Sequence, residues 1–192
     1  MKKFLCLLFL SLSVATGMRA QGRFAVKTNL LYDATATVNA GVEVGLAPRW
    51  SFDLSGNYNA WSFNERKWKH WMLQPEARYW FCDYFTGHFV AVHGIGGKYN
   101  FGNIPNNIKF LGTDLSMLTD HRYEGYAVGA GIAYGYAWIL SRHWNIEAEA
   151  GFGYMYTWFD KFKCDACSTR VGNGDHHYIG PTKLAVNVVY VF

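Results

Sequence analysis

The feature that most constrains this chain is a two-residue period that persists over unusually long segments. In "WSFDLSGNYNA", Trp50, Phe52, Leu54 and Tyr58 share one face, and Ser51, Asp53, Ser55, Asn57 and Asn59 share the other. "HWMLQPEARYWF" sets Trp71, Leu73, Ala77, Tyr79 and Phe81 against His70, Gln74, Glu76 and Arg78. "WNIEAEAGFGYMY" sets Trp144, Ile146, Ala148, Phe152, Tyr154 and Tyr156 against Asn145, Glu147 and Glu149. Successive side chains of a strand point to opposite faces, so each segment has one apolar and one polar side. No stretch repeats its apolar residues at the helical period of 3.6. The chain reads as all-β.

Alternation also suits a soluble sandwich or a lipocalin-like barrel, with the apolar face inward. Three features favour a membrane barrel. The segments at residues 50–61 and 70–81 outrun the ~5–6 residues of a typical soluble strand and reach the ~9–11 of a transmembrane one. Trp50, Trp61, Trp71, Tyr79, Trp80, Trp138, Trp144, Trp158, Tyr178 and Tyr190 gather near strand ends, as rings with an apolar body and a polar edge do at a membrane interface. Full charges stand in mid-strand: Lys27, Glu43, Asp53, Glu76, Arg78, Glu147, Glu149 and Lys183. A membrane barrel turns such residues into its lumen.

Eight strands are expected, at roughly 23–33, 39–47, 50–61, 69–81, 88–99, 122–137, 144–157 and 178–192. Short connections at residues 48–49, 82–87 and 138–143 alternate with mostly longer ones, as periplasmic turns alternate with outer loops. The expected fold is a closed eight-stranded antiparallel transmembrane β-barrel. So narrow a barrel is filled by side chains. Ala127, Gly129, Gly131, Ala133, Gly135 and Ala137 form a small-residue stripe that leaves room for larger lumen residues such as Arg78 and Trp80. Lys27, Arg78 and Lys183 are expected to pair there with Glu43, Glu76, Glu147 and Glu149, because unpaired interior charge is costly.

The first residues, "MKKFLCLLFLSLSVATGMRA", have a basic start, an apolar run and a small-residue end, the layout of a secretory signal peptide. Residues 1–20 are assigned to it and 21–192 to the barrel. Its three cations, unaccompanied by acids, account for most of the +4 formal net charge, leaving +1 on the rest. That balance offers no concentrated basic face for nucleic acid.

"KCDACSTRVGNGDHH" holds the most tempting chemistry. Cys164 and Cys167 with His176 and His177 could ligate zinc, or the CxxC pair could be redox active. In an exported loop a local Cys164–Cys167 disulfide is preferred, so no metal and no cofactor is assigned. Cys82 lies on a turn at the opposite end and is expected to be free. His70, His93, His121, Asp120 and Ser62 fall near proposed outer strand ends, and His88 and His143 near the other end. No short motif sets a nucleophile beside a base, and no catalytic residue is assigned. A lipid-modifying hydrolase or acyltransferase and a soluble periplasmic ligand carrier stand as alternatives.

The stretches "VKTNLLYDATATVNAGVEVGLAPRWSFDLSGNYNAWSF", "KWKHWMLQPEARYWFC", "DHRYEGYAVGAGIAYGYAWIL" and "GPTKLAVNVVYVF" resemble a family of uncharacterised exported proteins of Bacteroides-type bacteria, known only as a domain of unknown function. The resemblance implies an outer-membrane barrel and an association with fimbrial or other surface proteins, and it carries no catalytic residues. The expected role is structural or interactive. Outer-membrane lipids surround the barrel, and residues 66–68, 104–118 and 164–177 are its interaction loops. In "KLAVNVVYVF", Leu184, Val186, Val188, Tyr190 and Phe192 form a lipid face, and Tyr190 and Phe192 resemble the terminal signal read by barrel-assembly machinery.

Overall fold

A computed structural model describes residues 23–63, 66–102, 109–110, 113–114, 122–162 and 170–192. The signal-peptide assignment at residues 1–20 lies outside them. The elements are β1 (Phe24–Asn29), α1 (Leu30–Ala34), β2 (Val38–Ala47), β3 (Trp50–Phe63), β4 (Arg66–Trp80), β5 (Gly87–Gly102), the short pair β6 (Lys109–Phe110) and β7 (Thr113–Asp114), β8 (Arg122–Ile139), β9 (Trp144–Phe162) and β10 (Arg170–Val191). Eight of them pair antiparallel into one closed sheet, in the order β1-β10-β9-β8-β5-β4-β3-β2. β1 closes the ring against β10 from Ala25↔Val191 to Asn29↔Asn187. Among the described residues no helix is long and apolar enough to cross a membrane.

The sequence alternation becomes an inversion of the usual inside and outside. Ile132 is 69 % exposed and Leu184 66 %, whereas Arg78, Glu43 and Glu147 are 0 % exposed. Neighbouring strands are in register, so outward faces line up across the ladder: Leu54 stands beside Val42, and Val92 beside Ile132. The expected small-residue stripe of β8 faces inward and leaves space for bulk. A Cβ at Gly135 would stand 2.3 Å from Phe89 Cζ, so only glycine lets that ring lie flat inside the wall.

Five boundaries differ from expectation by three residues or more. β1 stops at Asn29, whose side chain accepts a hydrogen bond from Leu31 N and caps α1. A capping Asn ends the extended run that its apolar neighbours suggested. β4 begins at Arg66, so Arg66, Lys67 and Trp68 belong to a strand paired with β3 and not to a loop. β5 runs on to Gly102, paired with β8 as far as Gly102↔Arg122. β9 and β10 extend past 157 and before 178 to Phe162 and Arg170, so His176 and His177 also lie on a strand. "GNGD" reads locally as a turn. Here the neighbouring β9 supplies the pairing, and the Phe159 ring covers the gap at Gly174.

The two ends of the ring differ. At the turn end the connections are short, and Phe85, held at φ 65 in the turn after β4, is turned inward and 4 % exposed. It packs with Trp80, Phe89, Ala25, Ala137 and Val189 into an apolar plug. At the loop end lie α1 and the longer connections.

Candidate functional site

The middle of the interior holds a network of charges. Arg78 reaches four carboxylates: Nη1 lies 2.8 Å from Glu43 and 3.1 Å from Glu147, Nη2 2.8 Å from Glu149, and Nε donates to Glu76. Lys27 pairs with Glu43, with Asp53 at 3.0 Å and with Glu147 at 3.2 Å. Lys183 pairs with Glu76 and, at 3.2 Å, with Glu149. Thus Lys27, Glu43, Glu76, Arg78, Glu147, Glu149 and Lys183 are brought into one cluster, which Asp53 joins.

Strand register explains why those cations are needed. Glu43 stands directly opposite Asp53, and Asp53 opposite Glu76, so three acids form a row across β2, β3 and β4. Like charges directly opposite destabilise a ladder. The guanidinium offers five donors in a rigid fork and reaches four carboxylates at once, where the three donors of a lysine ammonium reach at most three here. Neutral groups add to the shell: Ser51 donates to Glu43, Trp80 Nε1 to Ser51 Oγ at 2.8 Å, and Asn187 Nδ2 to Glu147 at 3.5 Å. Arg78 also lies over the Phe89 ring, 4.5 Å from its centroid, joining the charged layer to the plug.

One contact was invisible in the alternation. The β9–β10 register shifts between Pro181 and Lys183, and the extra residue, Thr182, accepts or donates a hydrogen bond at 2.9 Å with His93 Nε2 inside the ring. Bulges re-aim a side chain in this way. Pro181 two residues before Lys183 is the local sequence signal, since proline cannot donate to a ladder. Above the cluster, toward the loop end, a polar cavity lies beneath α1. Its lining includes Asp53, Asn57, Gln74, Asn39 and Tyr32. Burial pushes the Tyr32 phenol above its usual pKa, opposed by a hydrogen bond with Asn57.

The other sequence candidates do not converge. Cys164 and Cys167 lie outside the described residues, as do Asp120 and His121. His177 Nδ1 is 2.5 Å from Tyr154 Oη on the outer face, and its Nε2 is 3.6 Å from Asp175. Among the described residues no group of three or more His, Cys, Asp or Glu side chains is placed to hold a metal ion. His88 contacts Tyr134 Oη, and His143 contacts the Val191 carbonyl, both at the turn end and far along the strands from His70. Cys82 is a free, exposed thiol. Phe192 bonds through its backbone N–H to Phe24 O at 3.0 Å, and its ring packs on Phe24 and Tyr190. No curated protein and no solved structure matches the chain. A family model does match, over residues 4–192, and the chain belongs to that family, described as a protein of unknown function (DUF3575).

Proposed function

We propose that the ring is a transmembrane β-barrel of the cell outer membrane, exported by its N-terminal signal peptide, and that it serves there as a structural or interaction protein through its loop end. The observation that carries this reading is the inversion of polarity: an apolar outer coat around a buried charged interior. Such a coat is at home in lipid. In water a continuous apolar surface of this extent is an aggregation hazard. Trp50, Trp138 and Trp144 project near the turn end, and Tyr58, Trp61, Trp71, Tyr126 and Trp158 nearer the loop end. Their spacing suits the two aromatic girdles of a membrane barrel.

The interior is packed by Arg78, Trp80 and Phe89, so the acting part is outside the lumen. β9 and β10, at 19 and 22 residues, exceed the ~9–11 needed to cross a bilayer and carry the loop end beyond it. The partner class is a cell-surface protein, with a fimbrial component as the first to test. Fractionation of expressing cells is expected to put the chain in the outer membrane, with heat-modifiable gel mobility. Recovery in the soluble periplasmic fraction would overturn the membrane reading. Envelope co-purification tests the interaction role separately. A lipid deacylase or acyltransferase activity in the refolded protein, lost on changing His70, would replace the interaction role by an enzymatic one.

A further inference from the structure

The wall of the ring is uneven at the seam where the chain closes on itself. β1 has 6 residues and β10 has 22. β9 pairs along one side of β10 from Arg170 to Tyr190, whereas β1 pairs along the other from Asn187 to Val191. Among the described residues no strand pairs with the β1 side of β10 between Arg170 and Val186. Part of that edge is closed by other means. Asn29 takes the place of the next strand residue: its Nδ2 donates to Leu184 O at 3.3 Å, and its Oδ1 accepts from Val186 N at 3.2 Å. Pro181 has no N–H, and its carbonyl accepts from Tyr178 Oη at 3.3 Å. Proline and covering groups are how proteins blunt a sheet edge.

Beyond Pro181, toward the loop end, the edge is left open. Backbone groups alternate between the two sides of a strand. Phe192 N donates to Phe24 O and Val186 N to Asn29, so even-numbered positions on the turn-end side of the bulge face β1. The extra residue at Thr182 reverses the phase. Asn173, Asp175, His177 and Ile179 therefore turn their N–H and C=O groups away from β9, and all four residues are exposed. β9 holds this stretch extended although "GNGD" reads locally as a turn. The edge is thus formed in advance, and a strand added to it loses less freedom than one that must order its template.

We propose that this edge takes one further β-strand: an extended segment of another protein pairs main chain to main chain with residues 173–179. Strand addition draws affinity from main-chain hydrogen bonds and specificity from alternate side chains. Asp175 is the one carboxylate of β10. Its side chain is 57 % exposed and stands 3.6 Å from His177 Nε2, beyond hydrogen-bond reach. A basic side chain opposite it is favoured, as opposite charges are across a ladder. A second copy of this chain is the poorer occupant. Two copies in one membrane run β10 in the same direction, and their twofold axis sets Asp175 against Asp175. The inference deepens the interaction role proposed above and rests on it, giving the partner a mode of binding and a place.

The test uses the refolded chain in detergent micelles and a fluorescent peptide of alternating threonine and valine about a central lysine, with binding read by anisotropy. Saturable binding is expected. The same peptide methylated on every backbone nitrogen keeps its side chains and should bind at least tenfold more weakly. Asn173→Pro and Ile179→Pro each delete an outward N–H and spare the β9 ladder; each should weaken binding about threefold to tenfold. Asp175→Lys leaves the backbone whole and should reverse the preference for a lysine-centred over a glutamate-centred peptide, which keeps the test alive if the proline variants do not refold. Absent binding, equal binding of the methylated peptide, or an unchanged preference in Asp175→Lys would overturn the proposal. So would a dimer of the refolded chain that Ile179→Pro converts to monomers, which would assign the edge to a second copy. Neither a bilayer nor a natural partner enters the measurement. Failed binding therefore leaves the outer-membrane assignment standing, and a chain recovered from the periplasm leaves the edge result standing.

Discussion

Two regions of the interior, a few residues apart along the same strands, solve the problem of filling a narrow ring in opposite ways. At the turn end Trp80, Phe85, Phe89, Ala25 and Val189 exclude water by bulk. In the middle, Arg78 and two lysines are held among five carboxylates. An apolar plug loses stability in step with the cavity left behind, because its neighbours relax only partly into the gap. A buried ion network behaves otherwise: removing one member strands all the others that depended on it. The first prediction presses on that difference where it is greatest. Arg78→Ala leaves four fully buried carboxylates without their shared partner, and a loss of about 5 kcal/mol is expected, at the top of the range for breaking a buried pair. Unfolding in urea of the refolded variant measures it. A loss below about 1 kcal/mol would mean that the network is dispensable and that packing alone holds the ring.

Phe89→Ala is the matching change in the plug. It opens a cavity beside Trp80 and removes the ring under the Arg78 guanidinium, so a loss of about 3–4 kcal/mol is expected by the same measurement. The informative quantity is the double variant. If plug and network are separate units, the two losses add; a coupling above about 0.5 kcal/mol would show that Arg78 makes them one.

A third change moves the comparison from inside to outside. Ile132 lies on the outer face of β8 beside Val92 and Phe152. In a lipid bilayer, Ile132→Arg is expected to cost about 2–3 kcal/mol, as a charge near the midplane does. In aqueous buffer an exposed site of this kind tolerates the same change within about 0.5 kcal/mol. Measuring the variant in vesicles therefore tests the lipid assignment through energetics and not through location.

These regions were unequally legible in the sequence. The charged layer could be read directly, because period two alone fixes which residues share a face, and Lys27, Glu43, Arg78 and Glu147 interrupt apolar segments at inward positions. Which acid meets which cation could not be read. That depends on register between strands distant in the chain: Arg78 and Glu149 are brought together by closure of the whole ring. The plug was only half visible. Trp80 and the glycine stripe pointed to it, but Phe85 belongs to a turn, and its inward direction follows from a positive φ that no residue preference announced. The bulge at Thr182 escaped because the two-residue period was read straight through Pro181. The early start of β10 escaped for the opposite reason: local composition argued for a break, and pairing with β9 overrode it.

The smallest predicted effect isolates burial from chemistry. Lys98 and Glu124 form an ion pair of 2.7 Å near the loop end, with side chains 36 % and 31 % exposed. Its geometry is no worse than that of the Arg78 pairs, and the Lys98 ammonium also lies 5.5 Å from the Tyr126 ring. Water can nevertheless solvate either partner left behind, and two long side chains lose freedom in making the pair. Lys98→Ala is therefore expected to cost between 0 and about 1 kcal/mol, falling further as salt is raised. The Arg78 network, buried inside the ring, should keep its large effect across the same salt range. If instead both variants respond alike to salt, the middle of the ring is accessible to ions from solution, and the interior cluster has to be treated as a wet site, not a sealed one.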